Sequence, residues 1–91
     1  MQFEWDPAKA ASNYRKHRVT FEIAVEAFDD PHAIYREDLA DQAEFRASVT
    51  GVTSVGLLVV VYTERWHDVT RIISARRAEK HEQKLYLRSL P

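Results

Sequence analysis

Three arginines, Arg71, Arg76 and Arg77, lie around a predicted junction between an apolar strand and a charged helix, within residues 71–78 (RIISARRA). A guanidinium is permanently charged and carries five N–H donors in a planar fork, so it suits the oxygens of a phosphate. Arginine at the end of a strand is also commonly a solvated charge or a salt-bridge partner. The pattern therefore indicates an anionic partner without identifying it.

A second cluster follows the most apolar run of the chain, residues 57–62, where Glu64, Arg65 and Trp66 are consecutive. A carboxylate beside a guanidinium can move a proton or orient the arginine, and an exposed tryptophan can stack on a nucleobase. The alternative is an exposed salt bridge in a turn, which contributes little energy. We interpret the next residue, His67, as a solvated turn residue, and the four histidines have no spacing typical of a metal site.

The spacing of apolar and capping residues predicts the elements that position these side chains. Residues 3–5 are expected to form a short strand. Asp6 and Pro7 predict the start of a helix that runs to about His17, because aspartate accepts an unpaired amide and proline needs no donor there. Thr20 predicts the cap of a second helix with one apolar face.

The chain then changes to the period of strands, which are predicted over residues 32–36, 45–50, 57–63 and 69–75. The third of these is apolar on both faces, so we expect it at the centre of the sheet. Gly51 and Gly56 are expected to bracket a hairpin loop, and a charged last helix is expected from about Arg77 to Arg88. The prediction is an α+β fold with two N-terminal helices, a mainly antiparallel four-stranded sheet and a C-terminal helix, in one domain of residues 1–91.

Composition narrows the class of protein. The 91 residues contain no cysteine, which excludes disulfides and thiolate catalysis, and no apolar run approaches the ~18 residues of a membrane span. We expect a soluble, cytoplasmic protein. The net charge of -1 is uneven: residues 1–45 hold five Lys or Arg and ten Asp or Glu, giving -5, and residues 46–91 hold eight and four, giving +4. This distribution fits a local phosphate site in the basic half, and it equally fits a fold in which the acidic half neutralises the basic half.

Motifs in a consistent order extend over nearly the whole chain. They are residues 3–9 (FEWDPAK), Asn13, Lys16, His17, Val19, Phe21, residues 28–31 (FDDP), Glu44, Arg46, Gly51, residues 58–65 (LVVVYTER), residues 71–76 (RIISAR), Ala78, Glu82 and Tyr86. Together they resemble the BrnT family, small bacterial toxins of two-gene toxin-antitoxin modules with a RelE-like fold and ribonuclease activity. Arg18 departs from the family, which commonly has glycine there, and arginine disfavours the left-handed cap that glycine permits.

The resemblance implies an endoribonuclease that needs no metal or cofactor and inhibits translation. It also implies a BrnA-like antitoxin of the ribbon-helix-helix class as partner, with operator DNA contacted only through the complex, and no membrane contact. For cleavage we predict Glu64, Arg65 and Arg76 as catalytic residues, because arginines can neutralise charge on the phosphorus and a glutamate can move a proton. The predicted RNA-binding residues are Lys9, Lys16, Arg46, Trp66, Arg71 and Arg77.

A geometric objection separates two of these arginines. In a regular strand Arg71 and Arg76 are five positions apart and face opposite sides, so both serve one site only if a bend or the helix start intervenes near residues 74–75. We therefore assign Arg76 to catalysis and Arg71 to binding. The rival hypothesis is a non-catalytic RNA- or protein-binding module that uses the same arginines to hold phosphates or carboxylates.

Overall fold

The computed structural model describes residues 1–38 and 46–91, which form three α-helices and a five-stranded mixed sheet. The strands are β1 (Gln2–Glu4), β2 (Ile34–Asp38), β3 (Arg46–Thr53), β4 (Gly56–Arg65) and β5 (Val69–Arg77), and the helices are α1 (Pro7–His17), α2 (Phe21–Ala24) and α3 (Lys80–Ser89). Short 3₁₀ helices follow α2 (Val25–Asp29) and β4 (Trp66–Asp68). Glu44 of the motif series and Phe45 of the second predicted strand lie outside the described residues. None of the described helices could cross a membrane.

The strand order is β1-β5-β4-β3-β2, and every pairing is antiparallel except that of β1 with β5. The α+β class is confirmed and β4 is central, but the prediction of four strands is wrong because β1 adds a fifth. β1 pairs over three positions, from Gln2 opposite Val69 to Glu4 opposite Arg71. A strand this short shows too little alternation for the sequence to reveal its partner.

The first helix begins and ends as predicted. The Asp6 carboxylate accepts a hydrogen bond from the Ala8 N–H at 2.8 Å, and Pro7 occupies the first turn. At the other end Arg18 adopts the left-handed conformation (φ 57°, ψ 31°), and its N–H donates to the Tyr14 carbonyl at 2.8 Å. The cap that glycine would favour therefore forms with arginine, at a steric cost of about 1 kcal/mol.

One buried side chain of α1 completes the free edge of β5. The Asn13 amide donates to the Ala75 carbonyl at 2.9 Å and accepts from the Ala75 N–H at 3.0 Å, as a neighbouring strand would. The same Asn13 nitrogen donates to the Val19 carbonyl at 3.1 Å. Because unpaired backbone groups are costly when buried, this one residue fixes α1 against the sheet beyond the end of β1.

The core lies between one face of the sheet and the layer formed by α2 and the 3₁₀ helix after it. Its largest fully buried side chains are Phe21, Leu58, Ile72, Val19, Val49 and Val60. Thr20 caps α2 as predicted, accepting from the Ile23 N–H at 3.2 Å, but the α-helical part ends at Ala24. The second predicted helix is therefore half α-helix and half 3₁₀ helix.

Gly51 lies inside β3, not in the hairpin loop where the sequence placed it. A Cβ atom at Gly51 would come within 2.5 Å of the Ala27 carbonyl oxygen, so glycine allows the strand and the 3₁₀ helix to approach closely. The turn between β3 and β4 consists of Ser54 and Val55, with Gly56 at φ 108°. The prediction that Gly51 marks the loop is wrong because this glycine serves packing, which its sequence context does not distinguish from a turn.

The last helix starts three residues later than predicted, at Lys80. β5 continues through Arg77, and the Ala78 N–H donates to the Leu57 carbonyl at 3.0 Å, which holds the chain extended. Glu79 then caps α3 through a capping box with Glu82.

Candidate active site

A β-bulge in β5 decides which arginines share a face of the sheet. Ser74 is opposite Val61, but Ile72 is opposite Tyr62, so Ile73 is an extra residue on its strand. The extra residue shifts the alternation by one position. Arg71 and Arg76 therefore point to the same side, away from the core.

Alternation and register place three further arginines on that side. Arg76, Val59, Thr50 and Ile34 form one cross-strand row, and Ser74, Val61, Ser48 and Arg36 form the next. Beyond them Arg71 is opposite Thr63 and Glu4, and Arg65 is opposite Val69. We call this side of the sheet, with Arg36, Arg46, Arg65, Arg71 and Arg76, the arginine face.

Two of these arginines converge on a carboxylate from β1. Arg71 Nη1 lies 2.7 Å from Glu4 Oε2, and Arg65 Nε lies 3.9 Å from the same oxygen. The Glu4 side chain is 42% exposed, so it remains accessible to a ligand. Glu4 is not among the residues predicted from the sequence, because only the pairing of β1 with β5 brings it to this face.

Arg76 is held by a carboxylate from α3. Its Nη1 and Nη2 atoms each donate to one oxygen of Glu82 at 2.8 Å, and Glu82 also accepts from the Glu79 N–H at 2.8 Å. The Arg76 hydrogen bonds lower the pKa of Glu82 to about 2 despite opposing burial, and they raise the pKa of Arg76. Glu82 is thus a fixed anion that orients the guanidinium. The capping-box spacing of Glu79 and Glu82 was the one available sequence signal.

The other predicted RNA-binding residues surround this face. Lys9 and Lys16 lie on α1 and line a groove of about 170 Å³ with Ile73 and Ser74 of the bulge. Arg77, at the end of β5, donates from Nη1 to the His17 carbonyl at 3.2 Å. Two elements therefore place basic side chains along the outer edge of β5.

Trp66 lies at the opposite end of the arginine face. It is 83% exposed and borders a shallow depression together with Glu4, Arg65 and Val69. An exposed indole next to the Arg65 guanidinium can stack on a base whose phosphate that arginine holds.

The three predicted catalytic residues are not brought together. Arg65 is opposite Val69 and Arg76 is opposite Val59, so these two arginines share one side of the sheet but lie six β4 positions, about 20 Å, apart. Glu64 lies on the other side of the sheet. It follows Tyr62 by two positions on β4 and therefore shares the core side of the sheet. There it borders a groove of about 440 Å³ with Tyr35, Glu37 and Tyr62.

Among the described residues, one group of side chains could approach a metal ion. Ligand atoms of Glu79, His81 and Glu82 lie within 4.8 Å of one another on α3. Both Glu82 oxygens already accept hydrogen bonds from Arg76, so this group is better explained as the partner of that arginine.

Comparisons with known proteins agree with this architecture. The sequence profile of a family described as "Ribonuclease toxin, BrnT, of type II toxin-antitoxin system" matches residues 5–82. The crystal structure of the Brucella abortus ribonuclease toxin BrnT superimposes with a TM-score of 0.71, covering 88% of this chain and 99% of that one at 24% identity. No curated protein shows significant similarity to the sequence. Because the profile spans most of the chain, this protein belongs to the BrnT family of ribonuclease toxins of type II toxin-antitoxin systems.

Proposed function

We propose that this chain cleaves RNA on the arginine face without a metal ion and thereby inhibits translation. The observation that supports this most is the bulge at Ile73, which brings Arg71 and Arg76 to one side together with Arg65. Several guanidinium groups on one surface can bind adjacent phosphates and stabilise the charge of a transition state. The family match supports ribonuclease chemistry.

The proposed reaction uses the nucleophile that RNA itself carries. The 2′-hydroxyl loses its proton to a carboxylate, its oxygen attacks the neighbouring phosphorus, and the bond from phosphorus to the 5′-oxygen breaks. The 5′-oxygen takes up a proton from water, leaving a 2′,3′-cyclic phosphate and a 5′-hydroxyl, and the carboxylate gives the proton it accepted back to the solvent. Arg65 neutralises the charge on the phosphate oxygens at the cleavage point, contributing on the order of 10²-fold in rate. Arg76 is opposite Val59, six positions from Arg65 along β4, so it would hold a phosphate further along the RNA.

Glu4 is our first candidate for the carboxylate that accepts the proton. Its Oε2 lies against Arg71 and near Arg65, so a phosphate bound by these arginines would bring the adjacent ribose to Glu4. Glu64, predicted from the sequence, is the alternative, although it shares the other side of the sheet with Tyr62. For either residue a proton acceptor must reach the 2′-oxygen directly or through one water.

The surrounding residues suggest how a strand of RNA would lie. We propose that Arg46 and Arg71 contact phosphates next to the cleavage point and that Trp66 stacks on a base at one end. Lys9, Lys16 and Arg77 would continue the contacts past the edge of β5. Single-stranded RNA combines such backbone and stacking contacts without a deep pocket.

The toxin would act in the cytoplasm as a single domain of residues 1–91. Its neutralising partner would be a BrnA-like antitoxin of the ribbon-helix-helix class, and operator DNA would be contacted only through that complex. The family description supports an antitoxin partner, since it names a type II system.

The first test is cleavage of a defined single-stranded RNA by the antitoxin-free protein in excess EDTA. We expect products with 2′,3′-cyclic phosphate ends, and a loss of at least about 10²-fold in rate in the Arg65→Ala/Arg76→Ala double variant. Arg15→Ala is the matched control, because Arg15 is an exposed arginine of α1 outside the arginine face. RNA binding without cleavage by the wild-type protein would instead support the non-catalytic binding module.

A second test separates the two carboxylates. Glu4→Gln should lower the rate constant for cleavage by about 10²-fold, because the amide cannot accept the proton. If Glu64→Gln shows that loss and Glu4→Gln does not, the assignment to Glu4 is wrong and Glu64 is the proton carrier.

A further inference from the structure

A second concave surface lies on the core side of the sheet, beyond the helical layer. Its lining residues are Tyr35, Arg36, Glu37, Ala47, Tyr62 and Glu64, and its volume is about 440 Å³. Glu37, Ala47 and Tyr62 form one cross-strand row, and Glu64 follows Tyr62 by two positions on β4. We call this surface the tyrosine groove.

The groove combines negative charge with an unused hydroxyl group. Glu37 and Glu64 are exposed, and neither forms an ion pair with another side chain in residues 1–38 and 46–91. Tyr62 is only 6% exposed, yet within the same part of the chain its hydroxyl has no hydrogen-bond partner. The hydroxyl oxygen reaches solvent in the groove, so it is available to a ligand there.

Tyr62 lines the groove together with two acidic residues, Glu37 and Glu64. Its ring packs edge-on against Phe28, with centroids 5.1 Å apart, which fixes the direction of the side chain. Glu37 is in the same cross-strand row as Tyr62, and burial, Glu64, Tyr35 and Glu37 together raise the pKa of Tyr62. Tyr35, which is 52% exposed, offers a second ring at the entrance.

The chemistry of this lining selects a cation rich in donors. Two carboxylates and a phenol oxygen are acceptors, and Arg36 at the rim offsets only one of the two negative charges. A guanidinium satisfies several acceptors at once and stacks on an aromatic ring. The phosphates of RNA would be repelled here, in contrast to the arginine face.

We propose that the tyrosine groove receives an arginine side chain of the antitoxin. That the protein has an antitoxin partner follows from the proposed function, on which this inference rests. That the bound side chain is an arginine follows from the charge and shape of the groove. The antitoxin would thus contact the side of the sheet opposite the arginine face, so this contact would add affinity without competing with RNA for phosphate sites.

The test is a titration of the ¹⁵N-labelled full chain with the tripeptide acetyl-Gly-Arg-Gly-amide, followed by NMR. The neutral analogue with citrulline in place of arginine is the matched ligand. We expect chemical shift changes at the amides of Tyr35, Ala47 and Tyr62 with the arginine peptide alone. Glu37→Gln should weaken binding about fivefold, and Glu22→Gln, an exposed carboxylate of α2, should leave it unchanged.

The same variants are then tested with the purified BrnA-like antitoxin by calorimetry. Glu37→Gln should raise the dissociation constant about tenfold, because it leaves an interfacial cation without one partner. Cleavage of RNA by Glu37→Gln should match the wild type, so that failure of the groove and failure of the ribonuclease proposal are distinguished.

Three outcomes would overturn the inference. The first is the absence of shifts at the groove with the arginine peptide. The second is equal binding of the citrulline peptide, which would show that charge is not recognised. The third is a shift of the same amides by an RNA oligonucleotide in place of the peptide, which would make the groove a nucleobase site.

Discussion

Arg18 holds a backbone conformation that side chains with a Cβ atom rarely adopt. Its φ of 57° ends α1, and its guanidinium carbon lies 5.5 Å from the centre of the Tyr14 ring. The cation–π contact recovers about 0.5 kcal/mol, less than the steric cost of the left-handed conformation. Arginine is therefore tolerated at this position but not optimal.

Replacing Arg18 with glycine should stabilise the protein. We expect Arg18→Gly to raise the free energy of unfolding by about 0.5 kcal/mol, measured by urea denaturation, because glycine adopts positive φ without strain. Arg15→Gly, three residues earlier in the helix, should lower it by about 1 kcal/mol. A loss in Arg18→Gly as large as that in Arg15→Gly would contradict this account.

At the scale of elements, the bulge in β5 has the largest consequence for the site. It sits between two buried residues, Ile72 and Ala75, which both pack into the core although they are three positions apart. Burying both requires one extra residue between them. The placement of Arg71 on the arginine face follows from that requirement of the core.

Deleting Ile73 should convert β5 into a regular strand without changing the side of any other residue. We expect this deletion variant to fold and unfold cooperatively, losing at most about 3 kcal/mol for one partly buried side chain. Deleting Val60 from β4, which has no extra residue there, should abolish folding because every later side chain changes face. Circular dichroism with thermal unfolding would distinguish the two. If neither deletion variant folds, Ile73 is not an extra residue that can be removed without disturbing the rest of β5.

α3 is attached to the sheet through few side chains. Tyr86 is its one buried residue among those described, and the Tyr86 hydroxyl donates to Asp30. This bond raises the pKa of Tyr86 to about 12, and with two backbone N–H donors it outweighs burial and lowers the pKa of Asp30. The bidentate pair of Arg76 and Glu82 is the second attachment.

Because Arg76 and Glu82 form an ion pair, we expect the stability of the protein to depend on pH. The pKa of Glu82 is lowered from 4.5 to about 2, so its contribution is complete above pH 4.5 and is lost as the pH falls towards 2. We expect Glu82→Gln to be less stable than the wild type at pH 7 and to lose less stability between pH 4.5 and pH 3. Urea denaturation at several pH values measures this.

Glu22→Gln is the control for this comparison, because Glu22 is an exposed carboxylate of α2 that forms no ion pair within residues 1–38 and 46–91. It should keep the pH dependence of the wild type. A Glu82→Gln variant with the same acid dependence as the wild type would show that the pair does not stabilise the fold.

At the scale of the whole molecule, charge is segregated although the total is close to zero. The net charge is -1, but five arginines share one side of the sheet. Phosphate binding depends on this local surface, because charges beyond about 10 Å are screened at 0.1 M salt. The net charge of the chain therefore does not argue against the proposed binding of RNA.

The salt dependence of RNA binding would measure how many of these arginines contact phosphate. For single strands the logarithm of the binding constant falls with the logarithm of salt concentration by about 0.7 per phosphate neutralised. Arg71→Ala should reduce this slope by about 0.7, whereas Arg15→Ala should leave it unchanged. Equal slopes for both variants would place the RNA elsewhere on the molecule.

Local patterns in the sequence determined most of the elements. Asp6-Pro7 and Thr20 predicted two helix starts correctly, because caps depend on a few adjacent residues. The apolar run of β4 predicted its central position, since only a strand covered on both faces needs such a run. The order and spacing of motifs were enough to indicate the family.

Only the tertiary structure decided which side chains meet. The pairing of β1 with β5 brings Glu4 next to Arg71, 67 positions later in the sequence, and no local pattern predicts a contact between residues so far apart. The bulge at Ile73 moves Arg71 to the side of Arg76, because core packing overrides simple alternation. The same alternation on β4 separates Glu64 from Arg65, its neighbour in sequence. Elements form from interactions between nearby residues, whereas a site forms where distant strands are placed in register.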